Sequence, residues 1–246
     1  MYILLFAVVV TFFKSSFFKG KVGEFLVTTH NKIRLDSSLY TQISDVTLRL
    51  NDGSTTQIDH IILFRFGIFV IETKNMKGWI FGSEHQKRWV QSIYGTKNSF
   101  QNPLLQNHRH IKALEEVLGL DRGLYSIVTF VGESSFKTAM PVNVFNGGKY
   151  IEYLKSFRSE IFSTVELQRI KDTLASKSLR KSRATNREHI ASLKKASVAS
   201  SNLYKSDSKI VCKRCSSVMV ERRNRVSDKV FLGCSSYPKC RHTESL

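Results

Sequence analysis

The chain has 246 residues, 41% of them hydrophobic, and a formal charge of +18. That length and apolar content exclude a disordered chain and allow one domain of ordinary size plus a smaller one. The charge points to nucleic acid or an anionic membrane surface. It is unevenly placed: residues 1–176 hold 21 Lys and Arg against 15 Asp and Glu, whereas residues 177–246 hold 17 against 5.

The first 13 residues, MYILLFAVVVTFF, carry no charged side chain, and Lys14, Lys19 and Lys21 follow. A bilayer span needs about 20 apolar residues, so this run is short, and it lacks the basic start and small-residue cleavage site of a signal peptide. It reads as a short or tilted membrane anchor within residues 1–17, with a buried N-terminal strand or helix as the alternative. If it spans, the basic flank places the body in the cytoplasm, tethered to the inner face of the membrane.

Residues 20–35 predict a helix with Val22, Phe25, Leu26, Thr29 and Ile33 on one face. Strands follow at 43–50, 57–64 and 67–73, the first two joined by an Asp-Gly turn in NDGSTT. GWIFG and RWVQSIYG read as short strands of a meander. NPLLQNHRHIKALEEVLG is a helix capped by Asn102, with Pro103 at its first position and Gly119 at its end. Residues 125–132 and 142–146 read as strands. Ser163 and Glu166 have the spacing of a capping box, opening a helix over 163–176. This order predicts a mixed α/β domain of about 175 residues. Residues 177–209 form a basic linker, in part helical.

The stretch GIFVIETKN, residues 67–75, ends an apolar strand with Glu72 and Lys74, which share a face because strand side chains alternate. If the strand pairs antiparallel with TQIDHII, Asp59 lies beside Glu72. The two carboxylates and the Thr73 carbonyl then converge as an all-oxygen site of the kind Mg²⁺ prefers. Lys74 is placed to hold or deprotonate a water, or to neutralise an anionic transition state, as phosphodiester hydrolysis requires. An exposed ion pair on a strand is the plainer alternative. His60 is expected on the opposite face from Asp59, and His108 and His110 as phosphate contacts or surface residues.

All four cysteines lie in the last 35 residues, as CKRC (212–215) and CSSYPKC (234–240). Cys212, Cys215, Cys234 and Cys240 suit a tetrahedral Zn²⁺ site, which also explains how so short a piece folds. Two disulfides are the alternative, disfavoured in a cytosolic chain. Arg222, Arg223, Arg225, Lys229, Lys239 and Arg241 offer phosphate contacts. Phe231 and Tyr237 offer stacking surfaces, Phe231 equally a core residue.

Four blocks in order, KGKVGE, QIDHIIL, IFVIETKN and NPLLQNHRHIKAL, resemble the NERD (nuclease-related) domain of the PD-(D/E)xK nuclease superfamily. The resemblance spans residues 18–132 and implies a restriction-endonuclease-like mixed sheet flanked by helices. It implies a metal-dependent nuclease with Mg²⁺ or Mn²⁺ held by Asp59 and Glu72. Lys74 would be the catalytic lysine, Glu24 a further carboxylate, and Gln106 the glutamine orienting water or a site carboxylate. Ile58 stands where that motif has proline. FLGCSSYPKCRHTE resembles the C-terminal zinc ribbon of type IA topoisomerases and implies nucleic-acid binding, DNA more than RNA. The domain boundaries expected are 18–135 for the nuclease-like core, 136–176 for its extension, 177–209 for the linker and 210–246 for the ribbon. The alternative function is a non-catalytic DNA-binding protein that keeps the nuclease fold.

Overall fold

A computed structural model describes residues 16–180, 182, 185, 187, 190–191, 212–217, 219–223 and 230–245. The side chains of 16, 17, 221, 223 and 245 are outside that description. The apolar N-terminal run, most of the basic linker, Arg225, Lys229 and the Arg223 side chain therefore lie outside the described residues. Among those described, no helix is long and apolar enough to cross a membrane. The chain divides into two compact units, Met1–His189 and Ile190–Leu246.

The first unit is built on a five-stranded mixed sheet. Helix α1 (Ser16–Arg34) leads into β1 (Thr41–Arg49), β2 (Thr55–Phe64) and β3 (Gly67–Asn75), an antiparallel run. Strand β7 (Leu124–Val131) then lies parallel to β3, and β9 (Val144–Asn146) parallel to β7. The order is β1-β2-β3-β7-β9. Strand β3 is central, so its continuous apolar run, Ile68 to Ile71, is fully buried on both faces.

One face of the sheet packs against α1 and α3 (Tyr150–Ser156) through Val27, Ile62, Phe69, Ile71, Ile127 and Leu154. The other packs against α2 (Pro103–Leu118) and α4 (Thr164–Lys177) through Ile61, Ile68, Val70, Leu114, Ile170 and Leu174. Asn102 caps α2 as predicted, its side chain accepting from the Leu104 amide at 2.9 Å, and Gly119 ends it at φ 63°. The capping box of α4 is complete.

Between β3 and α2 the chain builds β4 (Gly78–Phe81), β5 (Arg88–Ile93) and β6 (Thr96–Gln101). With β8 (Ser134–Phe136) they form a four-stranded sheet, β6-β5-β4-β8. Its inner face contributes Ile80 and Trp89 to a core shared with Val128 and Phe130. The predicted meander therefore gains a third strand, and β6 (TKNSFQ) is an edge strand too polar to carry an apolar pattern.

Helix α1 corrects the predicted apolar face. Phe25, Leu26 and Ile33 are exposed, and the buried positions are Gly23, Val27, Asn31 and the following Leu35. These follow the i, i+4 row of a helix. Two of them are not apolar because each answers to a particular partner elsewhere in the chain. An added Cβ at Gly23 would stand 2.8 Å from the Asn75 Cβ, so glycine permits close approach to the end of β3. The Asn31 side chain accepts a hydrogen bond from the Tyr150 hydroxyl at 2.5 Å.

The second unit is a three-stranded antiparallel sheet, β10 (Met219–Arg223), β11 (Val230–Cys234) and β12 (Thr243–Ser245). Among the described residues its core cluster is Cys212, Met219, Cys234 and Cys240, with Leu232 packed beside them.

Candidate active site and zinc ribbon

The β2–β3 ladder ends at the pair His60 and Ile71. The next register position holds Asp59 and Glu72, which the antiparallel reading anticipated. With no further strand pairing, the Asp59 carboxylate takes the ladder's place and accepts from the Thr73 amide at 2.8 Å. The backbone that would have donated to a strand instead fixes a carboxylate.

Glu72 is buried, with both oxygens engaged. Lys74 Nζ donates to its Oε1 at 2.6 Å, and His110 Nε2 lies 3.2 Å from its Oε2. Burial alone would raise the Glu72 pKa. The Lys74 charge and the His110 contact outweigh it and hold the carboxyl below its ordinary value. Lys74 also donates to Gln106 Oε1 at 3.0 Å, so the residue pair on β3 and the glutamine on α2 form one chain of contacts. The plain surface ion pair is excluded by burial: the Glu72 side chain is 2% exposed and that of Lys74 21%.

Asp59 has a different environment. Desolvation pushes its carboxyl well above the usual carboxylate range, and the negative charges of Glu72 and Glu24 push it the same way. The Thr73 amide and Lys74 oppose them. A pair of carboxylates with unbalanced repulsion in a semi-enclosed site is the donor chemistry that a hard divalent cation neutralises. Each Glu72 oxygen keeps a lone pair beyond its present partner.

Glu24 sits on α1, whose N-terminal half is drawn onto the end of β3 by Gly23 and by the Asn75 side chain donating to the Lys19 carbonyl at 2.7 Å. Its carboxylate is paired with Lys21 at 2.8 Å, and Lys21 also reaches Asp45 at 3.4 Å. Sequence reasoning missed Lys21 and Asp45. Asp45 stands across from Asp59 in the β1–β2 register, with φ 59°, and Gln57 donates to its carboxylate. A non-glycine residue with positive φ in a strand was the structural signal, and it has no sequence counterpart beyond Asp tolerating that region.

His110 corrects the expectation of a surface or phosphate-contacting residue. It is 5% exposed, holding Glu72 on one side and Thr56 Oγ1 at 2.7 Å on the other. His108 is exposed. His60 lies on the far face, its Nδ1 3.0 Å from Ser44 Oγ. Asn107 was also missed: its buried amide donates to the Val70 and Ile127 carbonyls, bracing β3 against β7 behind the site.

In the second unit the four cysteine sulfurs lie within 4.8 Å of one another. Cys212 and Cys240 approach to 3.7 Å and Cys215 and Cys234 to 3.3 Å, and none is in a disulfide. Tetrahedral Zn–S bonds of about 2.3 Å require sulfurs about 3.8 Å apart, so the set fits Zn²⁺. Arg222 stacks over the Tyr237 ring at 5.5 Å, and both line a concavity of about 520 Å³ with Phe231 and Arg241. Tyr237, Lys239 and Arg241 are exposed, whereas Phe231 is half-buried.

The nuclease-related domain family matches residues 19–131, and the topoisomerase DNA binding C4 zinc finger matches residues 209–246. An uncharacterized protein of Bacillus anthracis is 41% identical over 154 residues, covering 63% of this chain and 71% of that one. No solved structure matches.

Proposed function

The chain belongs to the nuclease-related domain family and ends in a topoisomerase-type C4 zinc finger, and from that premise we propose that it is a metal-dependent nuclease acting on DNA. The observation that carries the reading is the linked set at the end of β3. Lys74 bridges Glu72 and Gln106 at 2.6 and 3.0 Å, while Asp59 is pinned to the Thr73 amide beside them.

Asp59 and Glu72 would hold Mg²⁺ or Mn²⁺, with the Thr73 carbonyl as a third oxygen. A strand residue's N–H and C=O point to the same side, and the Thr73 N–H points to Asp59. Such a cation, when bound, supplies Lewis-acid stabilisation of the phosphate oxygens. The chain's own residues supply the rest. The Lys74 ammonium is positioned to hold the attacking water or to face the developing negative charge. Gln106 accepts from Lys74 through its oxygen, which leaves its amide N–H groups free to orient water. His110 and Thr56 brace Glu72 from behind, and Glu24, with Lys21, forms the α1 wall.

The exposed aromatic and basic residues of the ribbon, Tyr237, Arg222, Lys239 and Arg241, would bind the nucleic acid. Arg223 joins them on sequence grounds and Phe231 as a partly buried edge.

Labelled single- and double-stranded DNA and RNA, incubated with Mg²⁺ or Mn²⁺, test the reading. Wild type should cut DNA only with metal. Asp59→Asn and Lys74→Ala should each lose about 100-fold or more of the rate, with oligonucleotide binding nearly unchanged. Lys74→Ala cutting at the wild-type rate would refute the assignment. One observation favours the second reading, a binding module that keeps the fold: both Glu72 oxygens are already engaged by protein groups. Tight DNA binding with no metal-dependent cleavage of any substrate would establish it.

A further inference from the structure

Three strands of the four-stranded sheet, β4 to β6, are inserted between the two ends of the candidate site. They start at Gly78, just after Lys74, and finish at Gln101, just before Gln106. The sheet's inner face is core, and its outer face combines two features that packing does not explain.

The first is Trp79. It is 55% exposed on β4 while Trp89, on the neighbouring strand, is completely buried against Phe130. Lys137 Nζ lies 4.9 Å above the Trp79 ring. The second is Tyr94, at the tip of the β5–β6 hairpin. The two-residue turn Tyr94-Gly95 has positive φ at both positions, 47° and 83°. Such turns prefer Asn or Gly first, and a bulky residue at positive φ is strained. Here the strain is accepted for a ring that is 100% exposed and gains no burial. Strain held without a packing return is a marker of function.

Trp79 and Tyr94 line one groove of about 480 Å³ together with Lys77. On the same face by register, Lys97 pairs with the groove residue Ser92, and Arg88 lies four residues back along β5, held in place by Ser99 Oγ at 2.7 Å and the Ser99 carbonyl at 2.8 Å. Glu133 is the acid among the groove's lining residues. Flat rings spaced among cations suit unpaired bases and their phosphates. A duplex keeps its base faces stacked away from such rings.

We propose that this outer face is a single-strand nucleic-acid platform, in which Trp79 and Tyr94 stack bases and Lys77, Arg88, Lys97 and Lys137 contact phosphates. It extends the nuclease reading by placing unpaired strand on the sheet that joins Lys74 to Gln106, and rests on that reading only for the strand's fate. Binding stands or falls independently.

The chain's two tryptophans make the test specific. Neither lies in the ribbon, so tryptophan emission reports the first unit alone. Full-length zinc-loaded protein, with no Mg²⁺ or Mn²⁺ added, is titrated with a 20-nucleotide oligo-dT while emission is followed. Emission should fall saturably, and Trp79→Phe, which leaves only buried Trp89, should show no change. Duplex should quench far less. Trp79→Ala should weaken oligo-dT binding about 5-fold or more, and Lys97→Gln should lower the salt slope by about one phosphate contact. Saturable binding of labelled oligo-dT with unchanged wild-type emission would overturn the proposal. So would wild-type affinity and salt slope in both variants. Quenching by anionic phospholipid vesicles but not by oligo-dT would reassign the face to a membrane surface. Quenching without cleavage would refute the nuclease and keep the platform; cleavage without quenching would do the reverse.

Discussion

The two units of this chain solve the same problem with opposite means. The first buries a wide apolar core, with Ile61, Ile62, Phe69, Val70, Leu114 and Phe130 all inaccessible. Its polar site is a local exception at the end of one strand. The second buries chiefly sulfur: among the described residues, three of the four members of its core cluster are the cysteines Cys212, Cys234 and Cys240. A piece this small removes too little apolar surface from water to offset chain entropy. Its fold must therefore be written into ligand positions, whereas the fold of the first is written into hydrophobic pattern. A perturbation of metal and a perturbation of core chemistry should then act on different halves.

Zinc removal has the largest expected effect. Metal binding of this type is worth about 10–16 kcal/mol in small zinc peptides near neutral pH, more than such a fold can lose. After chelation of the full chain, hydrogen exchange should become unprotected across residues 212–217, 219–223 and 230–245 and stay slow across 41–131. Cys240→Ser should do the same without chelator. Protection surviving in the tail after zinc is gone would show that the ribbon has a core of its own. Loss of protection in both regions would show that the two units do not stabilise themselves separately.

A pH titration probes the other half. His60 is buried beneath α1, and desolvation, with the Lys21 charge acting the same way, lowers its pKa from 6.5 to about 4, against opposition from Glu72 and Asp45. The unfolded chain takes up this proton first. The stabilisation is therefore present in full above about pH 6.5 and is lost as pH falls towards 4. The loss from this group is on the order of 3 kcal/mol. Unfolding of the first unit followed from pH 7 to 4 should show it, and His60→Gln should flatten the slope. An equal slope in the variant would assign the acid sensitivity elsewhere.

How far the sequence anticipated this arrangement depends on what each residue does. Asn102, Pro103 and Gly119 act on the backbone of their own helix, so the ends of α2 were legible. Glu72 and Lys74 were legible because an apolar strand makes a terminal charge pair conspicuous. Asp59 followed from pairing that strand with its predecessor. What stayed hidden is what answers to distant partners. Asn107 and His110 look like ordinary polar residues on a helix until β3 is placed against them. The burial of α1 rests on Gly23 and Asn31, whose value lies in close approach and in Tyr150, so an apolar count selected the wrong face. The short helix α3 passed unnoticed because seven residues carry too few turns for a period to show. The cysteine spacing read through directly, since ligand chemistry is a property of the residues themselves.

The smallest expected effect lies at a helix terminus of the first unit, the start of α4, which touches neither metal nor site. Ser163 accepts from the Glu166 amide at 3.2 Å, and the Glu166 carboxylate accepts from the Ser163 amide at 2.8 Å. Together they satisfy two donors that the first turn of α4 would leave without helical partners. Ser163→Ala removes one of them and should cost about 1 kcal/mol. Because Ile170 and Leu174 of the same helix sit in the sheet's core, the loss should register in global unfolding of the first unit rather than as local fraying. The denaturation midpoint of that unit should fall while tail protection and zinc content stay constant. If instead only α4 exchanges faster and the midpoint holds, the helix is an independent flap on the sheet. Cooperativity in the first unit would then end at the sheet's α2 layer.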